Sequence, residues 1–492
     1  MQRINADQSQ PLFDTAASRR IEQAALAGLP NNTLMPRAGL AVARLARALA
    51  PHARRIWIAC GPGNNGGDGL EAAAQLQQHG VQVVVTWLGQ EARASSDTLA
   101  ALGRARAAGV QFADTPPTDL DAQDLCIDAL LGLGQSRAPS GGMASWIVAM
   151  NASPAPTLAV DLPTGLQTDT GALATNSVAA RADETSAAAI IYADHTLSLL
   201  TLKPGLFTAH GRDSAGQVWL DALGVTPGIA ASARLLGAPQ PPQRSHASHK
   251  GSYGDVAVIG GAPGMTGAAL LAATAALHHG AGRVFVGLLD GGSMQVHPQQ
   301  PELMFRAPGA LKLHALALVC GCGGGEAVRP LLPRVLGEAA RLVLDADALN
   351  AIASDTALQA LLRHRAAQGL PTVLTPHPLE AARLLGCTTL QIQADRLAAA
   401  QQLADRFACV AVLKGSGTVI AAPLRTPAIN PTGNARLATA GTGDVLAGMV
   451  GARLAAGQYA MDAACDAVYA HGLAADRWPE GKPLTASALA QF

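Results

Sequence analysis

A short apolar strand at Arg55–Cys60 runs directly into Gly61-Pro62-Gly63-Asn64-Asn65-Gly66-Gly67-Asp68-Gly69, and a helical stretch then leads to a second apolar strand over Val81–Leu88. Strands joined by a helix of that length pair in parallel, because only such a crossover returns the chain to the same end of a sheet. Parallel sheets are covered by helices on both faces and meet ligands at the carboxyl ends of their strands. This one unit therefore predicts an α/β domain whose chemistry sits in loops of this kind.

Two more strand ends repeat the pattern. Leu125–Leu130 places Asp128 before Gly132-Leu133-Gly134-Gln135-Ser136-Arg137, and Thr157–Val160 leads into Asp161-Leu162-Pro163-Thr164-Gly165. Three polar loops at strand ends converge on one crevice. The first loop is not G-x-G-x-x-G, so the dinucleotide fingerprint does not apply. Its glycines bare backbone N–H groups, while Asn64, Asn65 and Asp68 add oxygens, a mixture able to hold a phosphate-bearing ligand and a weakly coordinated cation. Two helices over residues 15–50, parted by Pro30-Asn31-Asn32, precede the series.

At 492 residues the chain predicts two to four domains. The Pro-rich run at 237–249 reads as an interdomain linker, giving a first domain at 1–226, a linker at 227–248 and a second domain at 249–492. Thirty-five basic against 35 acidic side chains remove the electrostatic case for nucleic acid, and 3% aromatics leave no stacking platform for single strands. Nowhere do eighteen apolar residues run together and residues 1–20 lack an apolar core, so no membrane span or leader is expected. Seven cysteines without a C-x-x-C pair fit reduced thiols and a cytoplasmic location.

A second α/β series begins at Asp255–Ile259, with further strands at 283–289, 315–320, 341–344 and 372–374. The last two precede Asp345-Ala346-Asp347 and Thr375-Pro376-His377. Ala408–Leu413 runs into Lys414-Gly415-Ser416-Gly417-Thr418, where the lysine is either a solvated turn residue or a phosphate contact. The polar stretch from Asn430 ends in Gly441-Thr442-Gly443-Asp444 at the start of an apolar helix. Helix starts offer free N–H groups to anionic oxygens. Asp444 is then either a helix cap or a base placed to take a hydroxyl proton beside a phosphoryl group.

The motifs GPGNNGGDGL, DALLGLG, DLPTG and Lys203-Pro204-Gly205, with GQVWLDALG, resemble the NAD(P)H-hydrate epimerase domain, the YjeF N-terminal family, over roughly residues 10–225. That resemblance implies a Rossmann-like three-layer αβα domain that binds hydrated nicotinamide nucleotide. Its binding residues are Asn64, Asn65, Gly66, Gly67, Asp68, then Gly132, Leu133, Gly134, Gln135, Ser136, Arg137 and Ala138, with Asp161 as a catalytic residue. It also implies potassium at Asn65, Asp128 and Thr164, the last standing where the family usually has Ser. KGSYGDVAVIGG, MTGAALLAA, DADALN, TPHPLE, LKGSGT and NPTGN…ATAGTGDVLAG are similar, in order, to the ADP/ATP-dependent NAD(P)H-hydrate dehydratases, whose fold is ribokinase-like α/β. The implied nucleotide contacts are Lys414, Gly415, Ser416, Gly417, Thr418 and Gly443, and the implied hydrate contacts are Ala268, Gly323 and His377, with Asp444 as base. ADP and magnesium are the implied co-substrate and ion, and a homo-oligomer the expected assembly. Gly321-Cys322-Gly323-Gly324-Gly325 departs from the family's usual GPGLG.

Together the halves predict repair of hydrated NADH and NADPH, by epimerisation and then ADP-dependent dehydration. A vitamin or sugar kinase of the same fold, or a binding module, is the alternative. The Ala-rich stretch 179–193 is an unassigned loop or helix.

Overall fold

The computed structural model describes residues 1–135, 137–174, 190–240 and 245–492, so Ser136 and most of the Ala-rich stretch 179–193 fall outside it. The chain forms two compact units, Met1–Asn5 with Pro11–Ala233, and Ala6–Gln10 with Arg234–Phe492. The stretch expected as a linker, 227–248, contains a strand, Ala233–Leu235, whose Arg234 and Leu235 pair in parallel with Ala428 and Ile429. The cause is local: Ala233 and Leu235 are buried on either side of Arg234, the alternation of a half-buried strand. The second unit thus takes up the chain from Arg234, ahead of the proline run.

In the first unit the strands order as Gln2–Arg3, Gln217–Asp221, His195–Leu199, Thr157–Val160, Leu125–Ala129, Arg55–Cys60, Gln82–Trp87 and Gln111–Phe112. Only the first pairing is antiparallel. Along Arg55–Cys60, Ile56, Ile58 and Cys60 enter one apolar core while Trp57 and Ala59 enter another. Burial on both faces makes this a three-layer αβα unit, and explains why its central strands read as unbroken apolar runs.

The second unit builds its sheet the same way. From Arg283–Leu288 through Asp255–Gly260, Ala317–Cys320, Arg341–Leu344 and Thr372–Leu374 to Val410–Leu413 the pairings are parallel, and Val419–Ala421 and Ala428–Ile429 then add antiparallel strands. Val256 and Val258 face one core, Ala257 and Ile259 the other.

The helix Thr442–Ala455 lies in the first of these cores. It packs on the helix Thr266–His278 through Gly448, where a Cβ would fall 2.0 Å from the Ala272 carbonyl oxygen. That close approach fixes how far the helix, and so its first turn, stands from its neighbour. Gly448→Ala gains helix propensity yet adds a methyl where backbone already stands. We expect a net loss of about 1–3 kcal/mol in the unfolding free energy of this unit, read by urea denaturation; an unchanged midpoint would show that the helices can part freely.

Candidate functional site

The first-unit site starts at a helix N-terminus. The Gly- and Asn-rich stretch, expected as a loop, is already helical from Asn64, so Asn64, Asn65, Gly66, Gly67 and Asp68 occupy the opening turns of the helix Asn64–Gln78. Glycine is required there by contact: a Cβ on Gly66 would lie 2.0 Å from the Gly61 carbonyl oxygen. Gly132 rests on Asn65, since its Cβ would stand 3.0 Å from Asn65 Oδ1. Asn65 Nδ2 is buried without a partner, a donor with nothing to donate to. Such a group points to a ligand oxygen.

Asp128 ends its strand fully buried and accepts three hydrogen bonds, from Thr164 N (2.8 Å), Thr164 Oγ1 (2.8 Å) and Leu130 N (3.1 Å). Burial nonetheless pushes its carboxyl up to about 6. Gln135 joins the two neighbouring loops, its Oε1 accepting from Gly165 N at 2.6 Å and its Nε2 donating to the Leu131 carbonyl at 3.2 Å. Its role is to hold the loops together. Leu133 and Gly134 (φ 89°) form the intervening turn, Arg137 is exposed and Ala138 half-buried.

Asp161 adopts φ 70°, a left-handed conformation that costs a non-glycine residue on the order of 1–3 kcal/mol. Its neighbours hold it there. Its N–H donates to the Leu197 carbonyl at 2.8 Å, and its Oδ1 accepts from Leu199 N at 3.1 Å and from Lys203 Nζ. Lys203, wholly buried, also donates to the Leu199 carbonyl at 2.7 Å. Asn64, Asn65, Asp68, Leu133 and Asp161 line one cavity of about 420 Å³, together with Glu22. Burial, reinforced by Asp161 and Glu22, holds Asp68 well above the usual carboxylate range, and burial with Asp161 also raises Glu22. Glu22 lies on the helix Thr15–Gly28 and carries no motif; only its place in the cavity identifies it.

The second-unit site gathers around Asp444 in the first turn of its helix, behind Gly441 at φ 90°. Gly443 leaves room for Lys414, whose Nζ would stand 3.2 Å from a Cβ there. Lys414 Nζ donates to Asp345 Oδ1 at 2.8 Å. Burial opposes the lysine's charge, but Asp345 and Glu380 outweigh it and hold the amine above its usual value. Lys414 is therefore a half-buried, charged group at the site, not a solvated turn residue.

Burial and the Asp345 carboxylate push Asp444 up to about 6. The Cys322 thiol and the Asp345 and Asp444 carboxylates lie within 4.8 Å of one another, near enough to share a cation among the described residues. Lys414 already supplies positive charge at that place.

Gly323 (φ 57°) touches Ala268, with 2.9 Å between its would-be Cβ and that of Ala268. The Gly321–Gly325 turn is fixed despite lacking proline: Gly261 N donates to the Cys322 carbonyl at 2.9 Å and Ala262 N to the Gly323 carbonyl at 2.7 Å. His377 caps the helix Pro378–Leu385, its Nδ1 accepting from Leu379 N and Glu380 N, with Nε2 3.2 Å from Glu380 Oε1. Burial and Lys414 lower His377, while burial raises Glu380 to about 7. Gly415 (φ 132°) and Gly417 (φ 61°) shape the turn after Lys414, with Thr418 Oγ1 donating to the Gly415 carbonyl at 3.2 Å. Motif reading had not singled out Asp345, Glu380 or His471 as site residues. His471, neutral because burial drops it to about 4, lies with Nε2 2.9 Å from the Thr442 carbonyl and pins the first turn.

Two α/β units, each opening a Gly-rich helix N-terminus toward buried carboxylates, define a two-site enzyme class acting on phosphorylated metabolites. A family model described as YjeF-related protein N-terminus matches residues 31–205, and one described as NAD(P)H-hydrate dehydratase matches 256–491. The chain is 38% identical over 474 residues to the bifunctional NAD(P)H-hydrate repair enzyme Nnr of Escherichia coli (strain K12), covering 92% of this chain and 87% of that one. It is 42% identical over 254 residues to the ADP-dependent (S)-NAD(P)H-hydrate dehydratase of Neisseria meningitidis serogroup B, covering 50% and 84%. A crystal structure of the ADP/ATP-dependent NAD(P)H-hydrate dehydratase from Bacillus subtilis, co-crystallized with ATP and Mg2+, is 31% identical over 51% of this chain and 91% of its own, at a TM-score of 0.44. The chain belongs to the bifunctional NAD(P)H-hydrate repair enzymes.

The Asp161–Lys203 pair makes a stability prediction independent of substrate. Lys203→Met strands a buried carboxylate and should cost roughly 3–5 kcal/mol. Adding Asp161→Asn to Lys203→Met should recover much of that loss. Denaturant titration of the single and double variants gives the coupling, and additive losses would deny the pair.

Proposed function

We infer that this chain restores hydrated NADH and NADPH, its first unit equilibrating the two hydrate epimers and its second dehydrating one of them with ADP. The reading rests most on one observation, the half-buried Asp444 at a helix N-terminus beside Lys414 and Gly443. The name of the Neisseria relative supports ADP and the S epimer. Magnesium arrives on the phosphate oxygens of ADP as part of the co-substrate. The seven free thiols support a cytoplasmic location, and no helix among the described residues is long and apolar enough to cross a membrane.

The ring hydroxyl of the hydrate is a poor leaving group, and phosphorylation corrects that. Asp444 takes the hydroxyl proton, the oxygen attacks the terminal phosphorus of ADP, and AMP departs with the P–O electron pair. The N–H groups at the helix start and Lys414 carry the charge building on the phosphoryl oxygens. The C–O bond of the new ester then breaks toward phosphate, a ring proton leaves, and the double bond returns. The products are NAD(P)H, AMP and phosphate. Recovery of NADH absorbance from hydrated NADH, ADP and magnesium tests this. A kinase that stops at phosphorylation would consume ADP and leave the absorbance flat.

In the first unit, Asp161 faces the cavity, held by Lys203, as the group that takes the ring hydroxyl's proton while the adjacent C–N bond opens with its electron pair to nitrogen, and returns a proton to oxygen when nitrogen closes on the other face of the resulting aldehyde. Potassium is assigned to Asn65, Asp128 and Thr164, a set of hard oxygen donors suited to a loosely held cation. The buried carboxylate of Asp128 supports that fit. When bound, the ion supplies positive charge beside Asp128.

Asp444→Asn keeps a cap but removes the base, so dehydration should fall by roughly 10²–10⁴-fold with an unchanged melting transition and untouched epimerisation. In the wild type the base is ionised above about pH 6. Dehydratase kcat/KM should therefore fall as pH drops below that value, nearing about tenfold per unit. Full activity at pH 5 would remove Asp444 as the base.

Potassium in place of sodium should raise the melting temperature of the wild type. Asp128→Ala should abolish that rise; a rise of the same size in the variant would rule out the assigned cation site.

A further inference from the structure

The helix Thr15–Gly28 turns one face to the first-unit cavity. Arg19, Glu22 and Leu26, spaced three and four residues apart, all line it. Arg19 is exposed and leans on the turn at Gly134, its Nη2 2.6 Å from where a Cβ would stand there. Glu22 is half-buried and, among the described residues, has no hydrogen-bond or ion-pair partner. Asp68, Asp97 and Asp161 line the same cavity from other elements, and the buried Lys203 donates to Asp161. Carboxyl groups crowded into one desolvated cavity do not all ionise; a group with a cation beside it keeps its charge, and a neighbour without one holds its proton. Glu22 follows that rule: burial and the Asp161 charge raise it, and Lys203 and Arg19 offset only part of the rise.

Ring opening makes a demand that Asp161 does not meet. As the hydroxyl proton leaves and the C–N bond breaks, the electron pair lands on nitrogen, and a nitrogen anion in a desolvated cavity is costly unless a proton arrives with it. We propose that Glu22 is the catalytic acid of epimerisation: its carboxyl gives a proton to the ring nitrogen as the C–N bond opens and takes it back as nitrogen closes on the aldehyde. This rests on the ring-opening reading of the first unit. The protons balance at the two carboxyls. In opening, Asp161 gains one and Glu22 loses one; in closure, the nitrogen's proton returns to Glu22 and that of Asp161 to oxygen. Neither the net charge nor the oxidation state of the nucleotide changes. Asp68 also stands above its usual range, but it belongs to the helix start assigned to ligand and cation. Glu22 comes from a separate helix and reaches the cavity with no other partner.

The test uses the full-length chain, with the two epimers of hydrated NADH resolved by chromatography and the spontaneous rate subtracted. Glu22→Gln keeps the shape and loses the proton. It should slow epimerisation by roughly 10²–10⁴-fold, with the melting curve and dehydration unchanged. An acid acts only while protonated, so wild-type epimerase kcat/KM should fall as pH rises through the titration of Glu22. That alkaline fall should be missing from the residual activity of Glu22→Gln. Glu22→Asp, with its carboxyl one methylene back, should recover part of the rate and the alkaline fall with it. A packing or binding role predicts a changed KM with kcat and pH profile intact. Glu22→Gln within a few-fold of wild type, or slow with the alkaline fall retained, overturns the inference; loss of that fall in Asp68→Asn instead assigns the acid to Asp68. Asp161→Asn separates the two readings. If it is slow while Glu22→Gln is normal, only the acid fails; if it is as fast as wild type, the ring-opening assignment fails and the acid falls with it.

Discussion

A carboxylate shut inside a parallel sheet's carboxyl edge must be compensated, and both units are arranged around meeting that demand. Asp128 is compensated by three hydrogen bonds, Asp161 by a buried lysine and Asp345 by Lys414. Each solution ties two loops together, because in each a compensating side chain comes from another strand end. The loops are therefore not independent decorations of a rigid sheet. Thr164 reaches Asp128, Lys203 reaches Asp161, Lys414 reaches Asp345. Removing a charge loosens a loop, which is why stability and geometry are coupled at these sites.

What the chain's order reveals, and what it hides, follows from distance along it. Gly61–Gly69 and Gly441–Asp444 are legible because helix-start chemistry is local: a few glycines, a polar residue, then apolar periodicity. The strands are legible for the same reason. Pairings such as Lys203 with Asp161 or Lys414 with Asp345 join residues tens of positions apart. No local pattern marks them, and only the sheet order brings them together. Glu22 is the clearest case, an unremarked acid on an amphipathic helix that the fold presents to the same cavity as Asp161.

The misread stretch is instructive in the same terms. Pro-rich composition over 237–249 outweighed a three-residue strand just ahead of it. Ala233–Leu235 is too short to announce itself by periodicity, and what stabilises it is a partner, Ala428–Ile429, nearly two hundred residues later. Similarly, the helix at Asn64 begins earlier than its glycines suggest. Glycine disfavours helix by about 1 kcal/mol per residue, but a Cβ on Gly66 would fall 2.0 Å from the Gly61 carbonyl oxygen, so nothing larger fits.

The electrostatics at Asp444 suit the role of base proposed for it. Burial and Asp345 raise the carboxyl, Cys322 and Lys414 lower it, and the balance falls at about 6. A base with a much lower value would be too weak to take a hydroxyl proton, and one with a much higher value would already be protonated at neutral pH. On the proposed reading, Lys414 links that balance to the nucleotide. In the free protein its charge is engaged by Asp345. A phosphate beside Lys414 draws on the same charge, so Asp345 and Asp444 then feel less of it and Asp444 becomes the stronger base. In the proposed dehydration the site would thus be most reactive toward the hydroxyl when the phosphoryl donor is in place, and the order of charges along Asp345, Lys414 and Asp444 would favour transfer over idle deprotonation.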